Sequence, residues 1–108
     1  MPFFEGLCTQ LSIKKVDLCD NQLGDKSINS FYKVLKHSEC NLEDINISYN
    51  AIGDGPGCRI GEGLIGHPKL KRLILRDCNL SDIAGYDILN GINSNKVLTV
   101  CDLSFNMI

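Results

Sequence analysis

The sequence predicts an α/β solenoid: a horseshoe arc with parallel β-strands lining its concave face and helices packed over its convex face. Three observations carry that prediction. Four eleven-residue segments, Ile13 to Leu23, Leu42 to Ile52, Leu70 to Leu80 and Leu98 to Ile108, start 29, 28 and 28 residues apart. Each is apolar at its first, fourth, sixth and eleventh places and carries Asn or Cys at the ninth, as Asn21, Asn50, Cys78 and Asn106. The stretches between them are apolar at helical spacing. A strand and a returning helix, repeated in one direction, force a single parallel sheet under one helical layer in which each unit touches only its neighbours.

The elements follow in order within each unit. The first, fourth and sixth places alternate apolar and polar as a short strand does, so Val16 and Leu18, or Ile45 and Ile47, share one buried face. The ninth-place Asn satisfies backbone groups of the tight turn that leaves the strand, and Cys78 stands in as a small polar group. Asp25, Asp54 and Asp82 then recur two residues past the eleventh place and are expected to cap the helices that follow. In the first helix Ile28, Phe31 and Leu35 form the apolar face, with Lys26, Asn29, Ser30, Lys33 and Lys36 around it. Gly85, Ile88 and Ile92 hold the same offsets in the third. The second keeps Gly57, Ile60 and Leu64 in place. However, Pro56, Gly55, Gly61 and Gly63 lower its intrinsic helicity, by about 1 kcal/mol per interior glycine, and predict a short or frayed helix with 3₁₀ character.

This pattern, L-x-x-L-x-L-x-x-[NC]-x-L, resembles the leucine-rich repeat, and its 28/29-residue length is similar to the ribonuclease-inhibitor-like class. The chain divides into a partial repeat (1–12), three full repeats (13–41, 42–69 and 70–97) and a partial repeat (98–108). Extending the register backward puts Phe3 and Leu7 where Phe31 and Leu35 stand one unit later, so the chain is expected to begin inside a helix and to stop after a strand and turn. Solenoids need polar caps at both ends. The expectation is therefore an excised piece of a longer array, or a minimal one that self-associates through uncapped ends.

Composition agrees with an ordinary globular chain: of its 108 residues, 44% are hydrophobic and 22% charged. A formal charge of −2 offers no positive field for phosphates, which argues against nucleic acid as a partner. No stretch has the length of a membrane span, and the opening MPFFEGLCTQ lacks a basic region and a secretory apolar run. A reducing cytoplasm is the expected compartment, so the six cysteines are read as thiols. The tripeptides Asn46-Ile47-Ser48 and Asn79-Leu80-Ser81 match a glycosylation acceptor only by composition.

Placed in the register, the cysteines occupy unrelated positions. Cys101 is at a fourth, core place, Cys78 in a turn, Cys19 on the concave face, Cys58 on the second helix, Cys40 in a loop and Cys8 near the start. No C-x-x-C pair occurs, and His37-x-x-Cys40 is too little for zinc. The cluster Gly53-Asp54-Gly55-Pro56-Gly57 lacks the G-K-[ST] of a phosphate loop. His67-Pro68 is expected to be a solvated loop at a helix end, with no nucleophile placed beside it. No catalytic, cofactor or metal site is expected.

The concave face carries the functional content. Lys14, Glu43, Lys71 and Thr99 occupy its second places, and Lys15, Asp44, Arg72 and Val100 its third. Strands lie about 4.8 Å apart, so these rows alternate in sign at pairing distance. At the fifth, seventh and eighth places Tyr49, Ile74, Arg76 and Phe105 are the residue types favoured as interface anchors, flanked by Asp17, Asn46, Asp77 and Asp102. The resemblance implies a non-catalytic scaffold that binds a partner protein on this face. It also leaves two other roles open: a GTPase activator like the Ran GTPase-activating proteins, which have similar repeats, and the sensor array of an innate-immune receptor.

Overall fold

Residues 13–36 and 41–108 are described in the computed structural model. They run β1 (Lys15–Asp17), α1 (Asp25–Lys36), β2 (Asp44–Asn46), α2 (Asp54–Leu64), β3 (Arg72–Ile74), α3 (Asp82–Asn93) and β4 (Val100–Asp102). The strands form one parallel sheet in the order β1-β2-β3-β4. Its register, Lys15 to Asp44 to Arg72 to Val100, joins residues at the same place in successive repeats. The period in the sequence is thus the period of the sheet, because a slip of one residue would turn every core side chain outward. The expected N-terminal helix with Phe3 and Leu7, the 1–12 partial repeat, Cys8, His37 and Cys40 lie outside the described residues.

The core forms between the sheet and the helices. Ile45, Ile47, Leu73 and Leu75 from the strand segments meet Ile28, Phe31, Ile60, Leu64 and Ile88 from the helices, all 1% exposed or less. Backbone bonding continues past the strands into the turns. Asp20, Tyr49 and Asp77 donate their N–H to the carbonyls of Ser48, Arg76 and Ser104 in the following repeat, at 3.0, 2.9 and 3.1 Å. The three-residue strands are therefore the centre of a longer laterally bonded ribbon.

The ninth-place Asn does more than the sequence suggests. Asn50 donates to Leu18, Ile47 and Ser48 carbonyls, while its Oδ1 accepts the N–H groups of Asn21 and Leu23, both in the preceding repeat and both at 2.9 Å. Asn106 treats Cys78 and Leu80 in the same way. Cys78 reproduces the donor half, its thiol lying 3.4 Å from Arg76 O and 3.5 Å from Ile47 O.

Two expectations for the helix starts and for α2 need correction. The helices begin at the Asp residues themselves, with Gly53 and Ser81 as the caps of α2 and α3. Asp54 instead reaches into the next repeat. Its Oδ1 accepts from Ser81 N (2.8 Å) and Ala84 N (3.2 Å), and its Oδ2 accepts from the Ser81 hydroxyl (2.5 Å), so it serves the start of α3. The α2 segment is an α-helix throughout its 11 residues, with Pro56 in the first turn, where a missing N–H costs nothing. Its glycines are contact surfaces: a Cβ on Gly57 would lie 2.7 Å from Leu80 Cδ2, and one on Gly61 would lie 2.6 Å from the Asp87 backbone. Close approach of α2 to α3 replaces the lost propensity with tertiary packing.

His67 is also not solvated. It is 4% exposed, and its Nδ1 accepts the N–H groups of Lys69 (3.2 Å) and Leu70 (3.0 Å). Asn95, one repeat later, accepts from Val97 and Leu98 and donates to Leu64 and His67 carbonyls. The two share the acceptor half of one polar staple where a helix returns to a strand; the donor half is made by Asn95, while His67 Nε2 is buried without a partner among the described residues.

Candidate functional site

The strand face is laid out by the register. Because fourth- and sixth-place side chains enter the core, the third- and fifth-place side chains face the other way, and the second-place Lys14, Glu43 and Lys71 lie beside them just before the strands. The expected sign alternation is realised as lateral pairs: Glu43 lies 3.8 Å from Lys14 and 3.4 Å from Lys71, and Asp44 lies 3.2 Å from Arg72. These groups neutralise one another, and surface pairs of this kind contribute little to stability.

Beyond that lattice, the fifth-place residues organise the turns. Asp17 accepts the N–H of Cys19 (3.1 Å), Asn46 that of Ser48 (3.1 Å) and Asp102 that of Ser104 (2.9 Å). Ile74 has no acceptor, so the Ser48 hydroxyl of the preceding repeat accepts the N–H of Arg76 instead, at 2.9 Å. Sequence reasoning passed over Ser48; the signal for it was a seventh-place hydroxyl beside the one fifth place that lacks an Asx residue. Ile74 is also corrected as a contact residue. Set in register between Asn46 and Asp102, it is only 5% exposed and offers a partner almost no surface.

The other selected residues divide into two groups. Arg76 Nε donates to Asp102 Oδ2 at 2.6 Å. Asp102 also accepts from the Ser104 hydroxyl at 2.6 Å, and Ser104 followed by Arg76 holds its carboxyl down to about 2. Asp102 and, to a smaller extent, the neighbouring Tyr49 raise Arg76 above its usual range, and Arg76 and Asp102 form one ion pair between adjacent repeats. Asp17 is lowered by its bonds to Cys19 and faces no cation in the lattice. Tyr49, Asp77 and Phe105 stand at the eighth places, with Asp20 as the fourth member of that row, and the backbone at all four is left-handed, with φ from 49° to 61°. Tyr49 and Phe105 are exposed, at 49% and 78%.

Thiol chemistry is disfavoured by environment. Burial raises Cys78 and Cys101 to about 11, burial and Asp87 do the same for Cys58, and Cys19 is raised by burial and by Asp17. All four are free and protonated at neutral pH, the form that is a poor nucleophile and a poor metal ligand. Among the described residues no group of three or more His, Cys, Asp or Glu is placed to hold a metal. No helix among them is long and apolar enough to cross a membrane.

A family model described as Leucine Rich repeat matches residues 38–55 and 66–89. Over 103 residues, 95% of the chain, the sequence is similar to NACHT, LRR and PYD domains-containing protein 3, at 32% identity for Homo sapiens, 29% for Macaca mulatta and 28% for Mus musculus. The chain spans only 7% of the length of each of these relatives. Among solved structures it is similar to the tropomodulin C-terminal domain of Caenorhabditis elegans, with a TM-score of 0.80 over 95% of this chain and 65% of that one. At 14% identity that likeness shows a shared fold.

Proposed function

Starting from a chain built of leucine-rich repeats, we propose that it is a non-catalytic protein-interaction array, of the ribonuclease-inhibitor-like class, that binds a partner protein on its concave side. The observation that most supports this is the pre-formed pair Arg76–Asp102 beside the exposed aromatic groups Tyr49 and Phe105. An arginine already held by a carboxylate loses less freedom on binding. Free, protonated thiols agree with a reducing cytoplasmic setting. Self-association belongs to the same reading, since α3 exposes Ile83, Tyr86 and Leu89 and the chain beyond β4 exposes Met107 and Ile108.

The similarity to a protein carrying NACHT, LRR and PYD domains favours a second, narrower reading, a sensor array within a larger receptor, over a GTPase activator. Arg72 and Arg76, the arginines on the strand face, are already committed to Asp44 and Asp102.

Two measurements test the proposal. Affinity capture should retain proteins on the wild-type chain that the Tyr49→Ala/Arg76→Ala double variant loses; an unchanged set would move binding elsewhere. Small GTPases should hydrolyse GTP at the same rate with and without the chain. Acceleration abolished by Arg76→Ala would refute the non-catalytic reading.

A further inference from the structure

We propose that the rim formed by the eighth-place residues Asp20, Tyr49, Asp77 and Phe105 docks a protein segment presenting Lys or Arg beside apolar side chains. This rests on reading the chain as a protein-binding array and moves the contact from the strands to the turns that leave them.

The rim differs from the strand face in its electrostatics. On the strands Lys14, Glu43, Lys71, Asp44, Arg72, Arg76 and Asp102 are engaged in lateral ion pairs, and the charges left without one among the described strand residues, Lys15 and Asp17, are of opposite sign. Asp20 and Asp77 have no ion-pair partner among the described residues, and both are exposed. They face a cleft of about 360 Å³ that Tyr49 shares with them, together with Asn50, Ala51 and Asn79. An aromatic ring between two unneutralised carboxylates is complementary to a cation, which gains ring quadrupole and carboxylate attraction in one place. One repeat further on, Phe105 supplies apolar surface, which selects a segment that is basic and apolar together rather than merely basic.

The row is also rigid. The N–H groups of Asp20, Tyr49 and Asp77 are fixed to the next repeat by the backbone ladder. Exposure of Tyr49 is a property of the position, because it has a repeat on each side and is still about half exposed. Asp20 and Asp77 are two repeats apart, about 10 Å at sheet spacing, a distance that two basic side chains of one extended segment span.

The test uses the whole chain and a short fluorescein-labelled peptide of Lys, Leu and Ser, read by fluorescence anisotropy at low salt, with a second peptide carrying Glu in place of Lys. The basic peptide should bind saturably and the acidic one should not. Asp20→Asn/Asp77→Asn should raise Kd about tenfold, and Tyr49→Ala should raise it severalfold. The double variant Asp25→Asn/Asp82→Asn makes the same change in net charge away from the rim and should leave Kd unchanged. Equal weakening by both double variants would reduce the effect to net charge and overturn the proposal. Weakening by Asp44→Ala/Arg72→Ala with the rim variants silent would overturn the rim while leaving concave-face binding intact. Binding of neither peptide, or equal binding of both, would also overturn it. All sites changed at the rim are exposed, and unchanged far-ultraviolet circular dichroism establishes that each variant is folded.

Discussion

Replacing Asn50 by Ala is the sharpest probe of what joins the repeats. Asn50 is 1% exposed, and its Oδ1 is the side-chain acceptor for two backbone N–H groups of the preceding turn, those of Asn21 and Leu23. Truncation leaves both donors without that partner, at about 1–3 kcal/mol each. The carbonyls of Leu18, Ile47 and Ser48 lose a donor more cheaply, since an under-satisfied carbonyl is better tolerated. A total loss of about 2–6 kcal/mol is expected. A domain of this size has about 5–15 kcal/mol in all. Urea unfolding followed by circular dichroism should therefore show the midpoint falling by about 1 M or more. Asn106→Ala removes the same pattern of bonds where water can enter, and should cost clearly less. Cys78→Asn should hold the midpoint, because the new Oδ1 would face Asn50 N by repeat equivalence while Ile52 N already donates to Asn50 O. If Asn50→Ala proves no worse than Asn106→Ala, the account of a buried acceptor serving its predecessor is wrong.

Three further outcomes follow from the packing and the polar staples. Gly61→Ala should destabilise despite its higher helix propensity, because the added Cβ meets the Asp87 and Ile88 backbone at 2.6–2.8 Å, whereas Gly55→Ala, with nothing within 4 Å beyond its chain neighbours but with Pro56 following, should cost clearly less; the larger fall in melting temperature for Gly61→Ala checks the pair. His67 is depressed by burial and then by Lys36 and Lys69, so its stabilising neutral form is complete above the unfolded value of about 6.5 and is lost as pH falls from there through the lower folded value. Urea midpoints from pH 8 to 5 should trace that loss, and His67→Asn, which copies Asn95, should flatten it. Asp54→Ala should lower the melting temperature more than Asp82→Ala, since only Asp54 is seen to hold a following helix start; its carboxyl is lowered chiefly by Ser81, so the contribution is present above the usual carboxylate range and fades as pH drops through the folded value.

Strand register was legible because it depends on an integer offset. Equivalent residues 28 or 29 apart are hydrogen-bonded neighbours, so the sign alternation of Glu43 with Lys14 and Lys71 could be read as contacts. What escaped the sequence were the cases in which a residue serves a unit other than its own away from the strand register. The α2 glycines look like helix breakers until α3 is laid against them, because propensity describes an isolated helix and Gly61 is chosen by the Asp87 backbone. Asp54 looks like the cap of its own helix, yet its bonds lie 27 and 30 residues downstream. Ile74 looks like an exposed anchor because place alone predicts its facing, while its burial depends on neighbouring strands. His67 could have been found from its spacing to Asn95, since both stand three residues before a repeat-opening Leu.

Because the side-chain amide that completes a turn belongs to the following unit, the array has a direction in time. As the chain is synthesised, the turn at Asn21 and Leu23 has no acceptor until Asn50 emerges, 29 residues later. At about 5–20 residues per second that is a wait of roughly 1.5–6 s, during which the finished-looking unit is only half bonded. The first turn therefore leaves these two N–H groups to water until its successor is made, whereas the turn at Asn50 and Ile52, followed by Cys78, waits for no such acceptor.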